Sequence, residues 1–277
     1  MDKFLYGCIY LSAAIAVSVL LMIICYVTVR GIGSVSLEFL TTVTSARKGT
    51  VGIAGNIVNT LYIIVITLVI ATPIGVGSAI YLNEYAKPGK IVRIIEFTTE
   101  TLSGIPSIIF GLFGSVFFGT TLKLGYSLLT GALTLSLMIL PLITRNTQEA
   151  LRTVPDSYRS GALGMGATKW HMIRTILLPS AMPGIITGVI LAIGRIVGES
   201  AALLFTAGSG YLLPKAEGWL SKILQPGGTL TIQLYLSSSK AEYNVAFGIA
   251  FVLLVIVLCI NFLTKYLAKR FDVTRMK

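Results

Sequence analysis

The 277-residue sequence predicts an all-α integral membrane protein with six transmembrane helices. Its composition is 55% hydrophobic and only 12% charged, with a mean hydropathy of +0.85, whereas soluble domains carry about 25% charged residues. A water-soluble fold of this size has no means of hiding so much apolar surface. The apolar residues also fall into six runs of the roughly 20 residues that cross a hydrocarbon core of about 30 Å.

The first run, 6–29, is too long for a signal-peptide core and is followed by no A-x-A site, so it reads as a retained helix. The second, 57–81, contains Pro73 and Gly75, which are expected to bend it. The third, 102–119, has a polar lead-in that holds Glu96 and Glu100, expected at the membrane interface as ordinary carboxylates or partners of Arg93. The fourth covers 124–144, the fifth 183–207 and the sixth 245–267. Residues 1–56 thus form a first helix and external loop, and 57–267 a transmembrane core with a cytoplasmic loop at 145–182 and an external segment at 208–244. A basic tail follows at 268–277. In the external segment Trp219 is expected to anchor a short interfacial helix, among Pro214, Pro226, Gly227 and Gly228.

The net charge of +11 would suggest nucleic acid in a soluble protein, but here the cations cluster between apolar runs. The loops on the side of the two termini hold about twice the Lys and Arg of the opposite loops, which places both termini in the cytoplasm by the positive-inside rule. Cys8, Cys25 and Cys259 each lie inside an apolar run and form no C-x-x-C pair, so they read as buried membrane thiols. A single histidine, His171, argues against a histidine-based metal or catalytic site.

In the cytoplasmic loop, the stretch YRSGALGMGATKW at 158–170 precedes ILLP at 176–179. Pro155 and Asp156 suit a helix start, Gly164 and Gly166 a break, and 167–177 a second helix that Pro179 is expected to stop. The pair would lie across the membrane face and present Arg159, Lys169 and Trp170. Gly161 and Gly166 have the spacing of a phosphate-binding loop, but Ala167 stands where its lysine is required, so hydrolysis of ATP would fall to a partner.

The loop resembles the coupling loop of binding-protein-dependent ABC importer permeases, whose signature is E-A-A, three residues, Gly, nine residues, I-x-L-P. Ala162, Gly166, Ile176, Leu178 and Pro179 match; Ser160 and Gly161 replace the Glu and the first Ala. The resemblance implies a type I ABC importer permease (MetI-like) fold and a short helix that docks on an ATPase subunit, with contacts from Arg159, Ser160, Gly161, Ala162, Gly166, Lys169, Trp170 and Pro179.

The fifth run carries GRIVGESA at 194–201, with Arg195 midway along it. An arginine at that depth costs at least about 2.5–3.5 kcal/mol and must face away from lipid. Glu199, four residues on, shares its helix face and is expected to pair with it. The guanidinium fork suits a tetrahedral oxyanion; the alternative is a structural ion pair that locks two helices. Gly194 and Gly198 form a G-x-x-x-G face for close helix packing. The GIPS turn at 104–107 interrupts helical hydrogen bonding, and its amides and the Ser103 or Ser107 hydroxyls either contact an anion or belong to a simple kink.

R-x-x-G-E-[ST]-A is similar to the phosphate-specific permease family, as are AIYLNEYA at 79–86 and LSGIPSIIFGLFG at 102–114. TLTIQLY at 229–235 favours the A-type subunit (PstA) over its C-type sister. The resemblance implies one half of the pathway of a phosphate importer in a prokaryotic plasma (inner) membrane. Its partners would be a homologous permease (PstC type), two ATPase subunits (PstB type) and an extracytoplasmic phosphate-binding protein (PstS type). This chain would then bind no cofactor, and ATP and Mg would belong to the partner ATPase. Arg195, Glu199, Ser103 and Ser107 would line the substrate pathway. Rival readings are a permease for sulfate, molybdate or tungstate, a self-sufficient anion carrier or channel, against which the lack of inverted repeats speaks, and a membrane signalling protein, for which no effector domain is present.

Overall fold

The computed structural model describes residues 2–45, 50–87, 89–210, 213, 218 and 221–270. Trp219 and Pro214, and with them the expected interfacial helix, lie outside the described residues.

Helix α1 (Asp2–Gly31) is apolar on every side, and its apolar run is exposed along its length apart from contact with α12 (Tyr243–Arg270). A helix without a polar face is suited to lipid rather than water. Cys8, Cys25 and Cys259 are free and exposed on the outer surfaces of these two helices, not buried within the bundle. After the short α2 (Leu37–Thr41), capped by the Ser36 hydroxyl, strands β1 (Val43–Ser45) and β2 (Thr50–Ile53) form a small antiparallel ladder. That hairpin was not legible in the sequence.

The centre of the bundle is α3 (Ala54–Ile80), α6 (Leu128–Arg152) and α9 (Leu178–Gly198). Ile63, Leu135, Ile139 and Ile196 are fully buried between them. Buried hydroxyls on α6 return their hydrogen bonds to the helix itself, Thr134 to the Thr130 carbonyl at 2.8 Å and Ser136 to that of Ala132 at 2.7 Å. Such bonds leave no polar group unpaired against lipid. At one end of α3, Asn56 and Asn59 donate to the Gly228 carbonyl at 2.9 and 3.2 Å and so fasten the segment that leads into α11 (Leu230–Ser239).

The expected third span is not one helix. Helices α4 (Lys90–Gly104) and α5 (Ser107–Gly114) meet at 101°, and α5 continues as a wide π turn through Ser115–Thr121. Pro106 disfavours helix at Ile105 and supplies no N–H, so the chain turns where the GIPS motif predicts a break. Five helices are long and apolar enough to cross a membrane alone, and six spans result if the bent pair counts as one.

The fifth span also differs from expectation. A continuous helical run from Lys169 to Gly198 is long and apolar enough to hold one span, and it is made of α8 (Lys169–Met172), a π turn at Ile173–Leu177 and α9. Pro179 therefore does not stop the second loop helix; it opens α9. The widened turn before it, closed by Leu178 N–H on the Ile173 carbonyl, shifts the hydrogen-bond frame so that the missing proline N–H is tolerated. The run then ends at Gly198, and α10 (Ala201–Thr206) follows after a two-residue break.

Close packing on α9 is provided by a different glycine pair from the expected one. Nothing lies within 4 Å of a Cβ placed at Gly194 or Gly198. At Gly184 and Gly188 a Cβ would meet Ala150 and, at 2.7 Å, the Asn146 Cβ of α6. Gly194 and Gly198 are both exposed, whereas Ile196 and Val197 between them are buried.

Candidate functional site

A cavity of about 430 Å³ lies between α4, α6 and α9. Its polar lining is Glu96, Thr99, Glu100 and Ser103 from α4, Arg145, Gln148, Glu149 and Arg152 from α6, and Arg195 from α9. Pro141, Met138 and Leu142 make its apolar wall. Three arginines thus converge on one space from two helices.

Two of these arginines are compensated. Arg145 lies 3.7 Å from Glu100 and 3.4 Å from Glu149, and Arg152 lies 3.7 Å from Glu96. All are well exposed to the cavity, so these pairs are loose and solvated, worth at most about 1 kcal/mol each. Glu96 and Glu100 are therefore partners of Arg152 and Arg145, not of Arg93. Arg195 has no ion-pair partner among the described residues.

The expected Arg195–Glu199 pair is absent because its geometry requires an unbroken helix. Glu199 is extended (φ −82°, ψ 123°), one residue past the end of α9. Its carboxylate accepts the Ala202 N–H at 3.1 Å, at the start of α10. Its carbonyl accepts the Thr231 hydroxyl from α11 at 2.9 Å. Glu199 is thus tied into the packing that closes the break. Arg195 sits in the last turn of α9, where unpaired carbonyls give the helix end a negative partial charge that favours a cation by about 0.3–1 kcal/mol. The helix end supplies part of the compensation that sequence reasoning assigned to Glu199.

Ser103 lines the cavity, its hydroxyl turned onto the Glu100 carbonyl at 2.7 Å. Ser107, the first residue of α5, is half-buried and not part of the lining. Arg145, Gln148 and Arg152 were missed as site residues. They share one face of α6, which runs two turns beyond the apolar stretch that ends at 144. The Gln148 side-chain nitrogen is buried without a partner, a spare donor beside the cavity.

The loop residues divide between outward and inward positions. Helix α7 (Asp156–Gly164) is followed by Gly166 at φ +84°, a left-handed conformation that favours glycine. Ser160, Gly161, Gly166, Lys169 and Trp170 are exposed, while Ala162 is buried. Tyr158, Leu163, Met165 and Trp170 are large apolar side chains that the loop leaves exposed, with Met165 84% accessible. Arg159 does not join that surface. It turns inward to the Glu84 carboxylate at 3.0 Å. Among the described residues, no group of three or more His, Cys, Asp or Glu side chains is arranged to hold a metal ion.

Residues 71–273 match the family described as binding-protein-dependent transport system inner membrane component. The chain belongs to this family. It is 36% identical to "Probable ABC transporter permease protein YqgI" of Bacillus subtilis, over 96% of this chain and 94% of that one. It is 32% identical to "Phosphate transport system permease protein PstA" of Haemophilus influenzae, over 95% and 92% of the two chains. Among solved structures, a chain of a bacterial alginate ABC transporter superposes with a TM-score of 0.71 at 15% identity, covering 98% of this chain and 96% of that one. A chain of the inward-facing MetNI methionine transporter gives 0.59 at 21%, covering 79% and 94%. The fold is that of a type I ABC importer permease, a multi-pass membrane protein.

Proposed function

We propose that the chain is a transmembrane permease subunit of an ATP-driven phosphate importer, and that the cavity between α4, α6 and α9 is its half of the translocation pathway. The observation that carries this reading is Arg195, a permanent cation at a helix end that lines the cavity and has no ion-pair partner among the described residues. A phosphate that reaches this point loses part of its hydration, and a planar fork of donors replaces it. Arg145 and Arg152 lie on the same cavity with solvated acidic partners. Those partners keep the space from becoming an anion trap, because an ion held too tightly cannot leave. The names of the relatives support phosphate over other oxyanions.

A homologous permease completes the pathway, and an extracytoplasmic binding protein delivers the anion. ATPase subunits dock on the exposed loop side chains around Met165 and Trp170 and supply the ATP and Mg chemistry, since the sequence lacks the phosphate-loop lysine. Both termini and this loop lie on the cytoplasmic side, in agreement with the excess of Lys and Arg there. Labelled phosphate uptake in cells that depend on this transporter tests the substrate. Excess phosphate is expected to compete and excess sulfate not to; competition by sulfate or molybdate at equal concentration would move the assignment to that oxyanion.

A further inference from the structure

Arg159 makes the most complete set of hydrogen bonds of any charged side chain described. A guanidinium has five N–H donors. Nε and Nη2 reach the Glu84 carboxylate at 3.3 and 3.0 Å. Nη2 also reaches the Leu151 carbonyl at 2.9 Å, and Nη1 reaches the Val154 carbonyl at 2.9 Å and Asp156 at 3.0 Å. The acceptors lie at the end of α6, in the turn between α6 and α7, at the start of α7, and in the π turn Tyr81–Tyr85 that closes α3. The Glu84 side chain is 5% exposed and its Oε1 also accepts from Asn83 at 2.7 Å. The loop touches the same π turn a second time, where the Lys169 ammonium lies 5.0 Å from the centre of the Tyr85 ring.

We infer that Glu84 and Arg159 form a joint that transmits displacement of the loop to the loop-side ends of α3 and α6, and that Glu84 is a positioning residue for coupling. The inference rests on the transport reading above. Beneath the loop, Leu151, Val154, Ala162, Met172 and Ile173 form a small apolar core of their own. Apolar contact is non-directional and lets surfaces slide, whereas charge-assisted bonds from a planar fork fix direction. A force on the exposed side of the loop therefore reaches α6 and α3 together through Arg159. Helix α6 carries Arg145 and Arg152 into the cavity, so the same displacement changes the cavity wall.

The test uses the complete transporter in vesicles, with ATP hydrolysis and phosphate uptake measured on the same preparation. Glu84→Gln keeps the shape and one acceptor but removes the charge; Arg159→Lys keeps the charge but removes the fork. Both are expected to assemble and to hydrolyse ATP, with phosphate moved per ATP reduced about five- to tenfold. An unchanged ratio in both variants would overturn the joint, as would a parallel fall of hydrolysis and uptake, which marks a docking defect. Loss of both variants from the membrane would make the pair a folding strut and overturn it equally. A parent complex that hydrolyses ATP but moves another oxyanion would count against the substrate reading alone, and the ratio would then be read with that oxyanion.

Discussion

Arg195→Gln is expected to cut phosphate uptake roughly 10- to 100-fold while the assembled complex persists in the membrane. The magnitude follows from losing charge-assisted hydrogen bonds worth about 1.5–3 kcal/mol at a point where the anion is partly dehydrated. Persistence of the complex follows from the surroundings of the side chain. Arg195 is exposed to the cavity and bonded to no carboxylate, so its removal leaves no buried charge behind. Had the Arg195–Glu199 pair locked two helices together, the same change would strand a carboxylate and destabilise the fold by about 3–5 kcal/mol. Uptake and membrane abundance of the variant, measured in parallel, separate the two. Glutamine is the stringent choice because it keeps a polar, hydrogen-bonding side chain and removes the charge and the fork.

The second large effect concerns stability. Gly111→Leu is expected to destabilise the fold by about 1–3 kcal/mol and to lower its abundance in the membrane. A Cβ at Gly111 would lie 2.7 Å from the Ala202 Cα and 3.1 Å from its carbonyl oxygen, and backbone atoms cannot step aside as a flexible side chain does. The contact is between α5 and α10, the two short helices that follow the breaks at Pro106 and Glu199. Forcing them apart disturbs both interruptions at once. Gly194→Leu is the matched control, with open space around the same addition. Thermal unfolding of the two purified variants in detergent compares them directly; equal stability would show that α5 and α10 are not packed as described.

The sequence carried the topology because hydropathy reports burial in lipid one residue at a time. It carried the turn at Pro106 because proline acts on its own backbone. It did not carry the break at Glu199. Glu199, Ser200 and Ala201 are compatible with a helix, and the interruption is held by Thr231, which is 32 residues away and binds the Glu199 carbonyl. Without that tertiary contact, residues 195 and 199 read as helical neighbours. Arg145 and Arg152 were hidden for a different reason. A polar helical extension past the end of an apolar run has the composition of a loop, and only packing against α4 shows that these cations line a cavity. The loop helix was legible from its glycines and the motif, but the inward turn of Arg159 was not, because Glu84 lies 75 residues earlier.

A pathway through the cavity requires Arg195 to face water that is continuous with the loop side of the membrane. Its most direct test is a cysteine at position 195 in a background where Cys8, Cys25 and Cys259 are replaced by serine. In sealed vesicles of known orientation, a membrane-impermeant thiol reagent is expected to modify residue 195 from the loop side. A thiol that stays unmodified from both sides in the assembled transporter would contradict the pathway described.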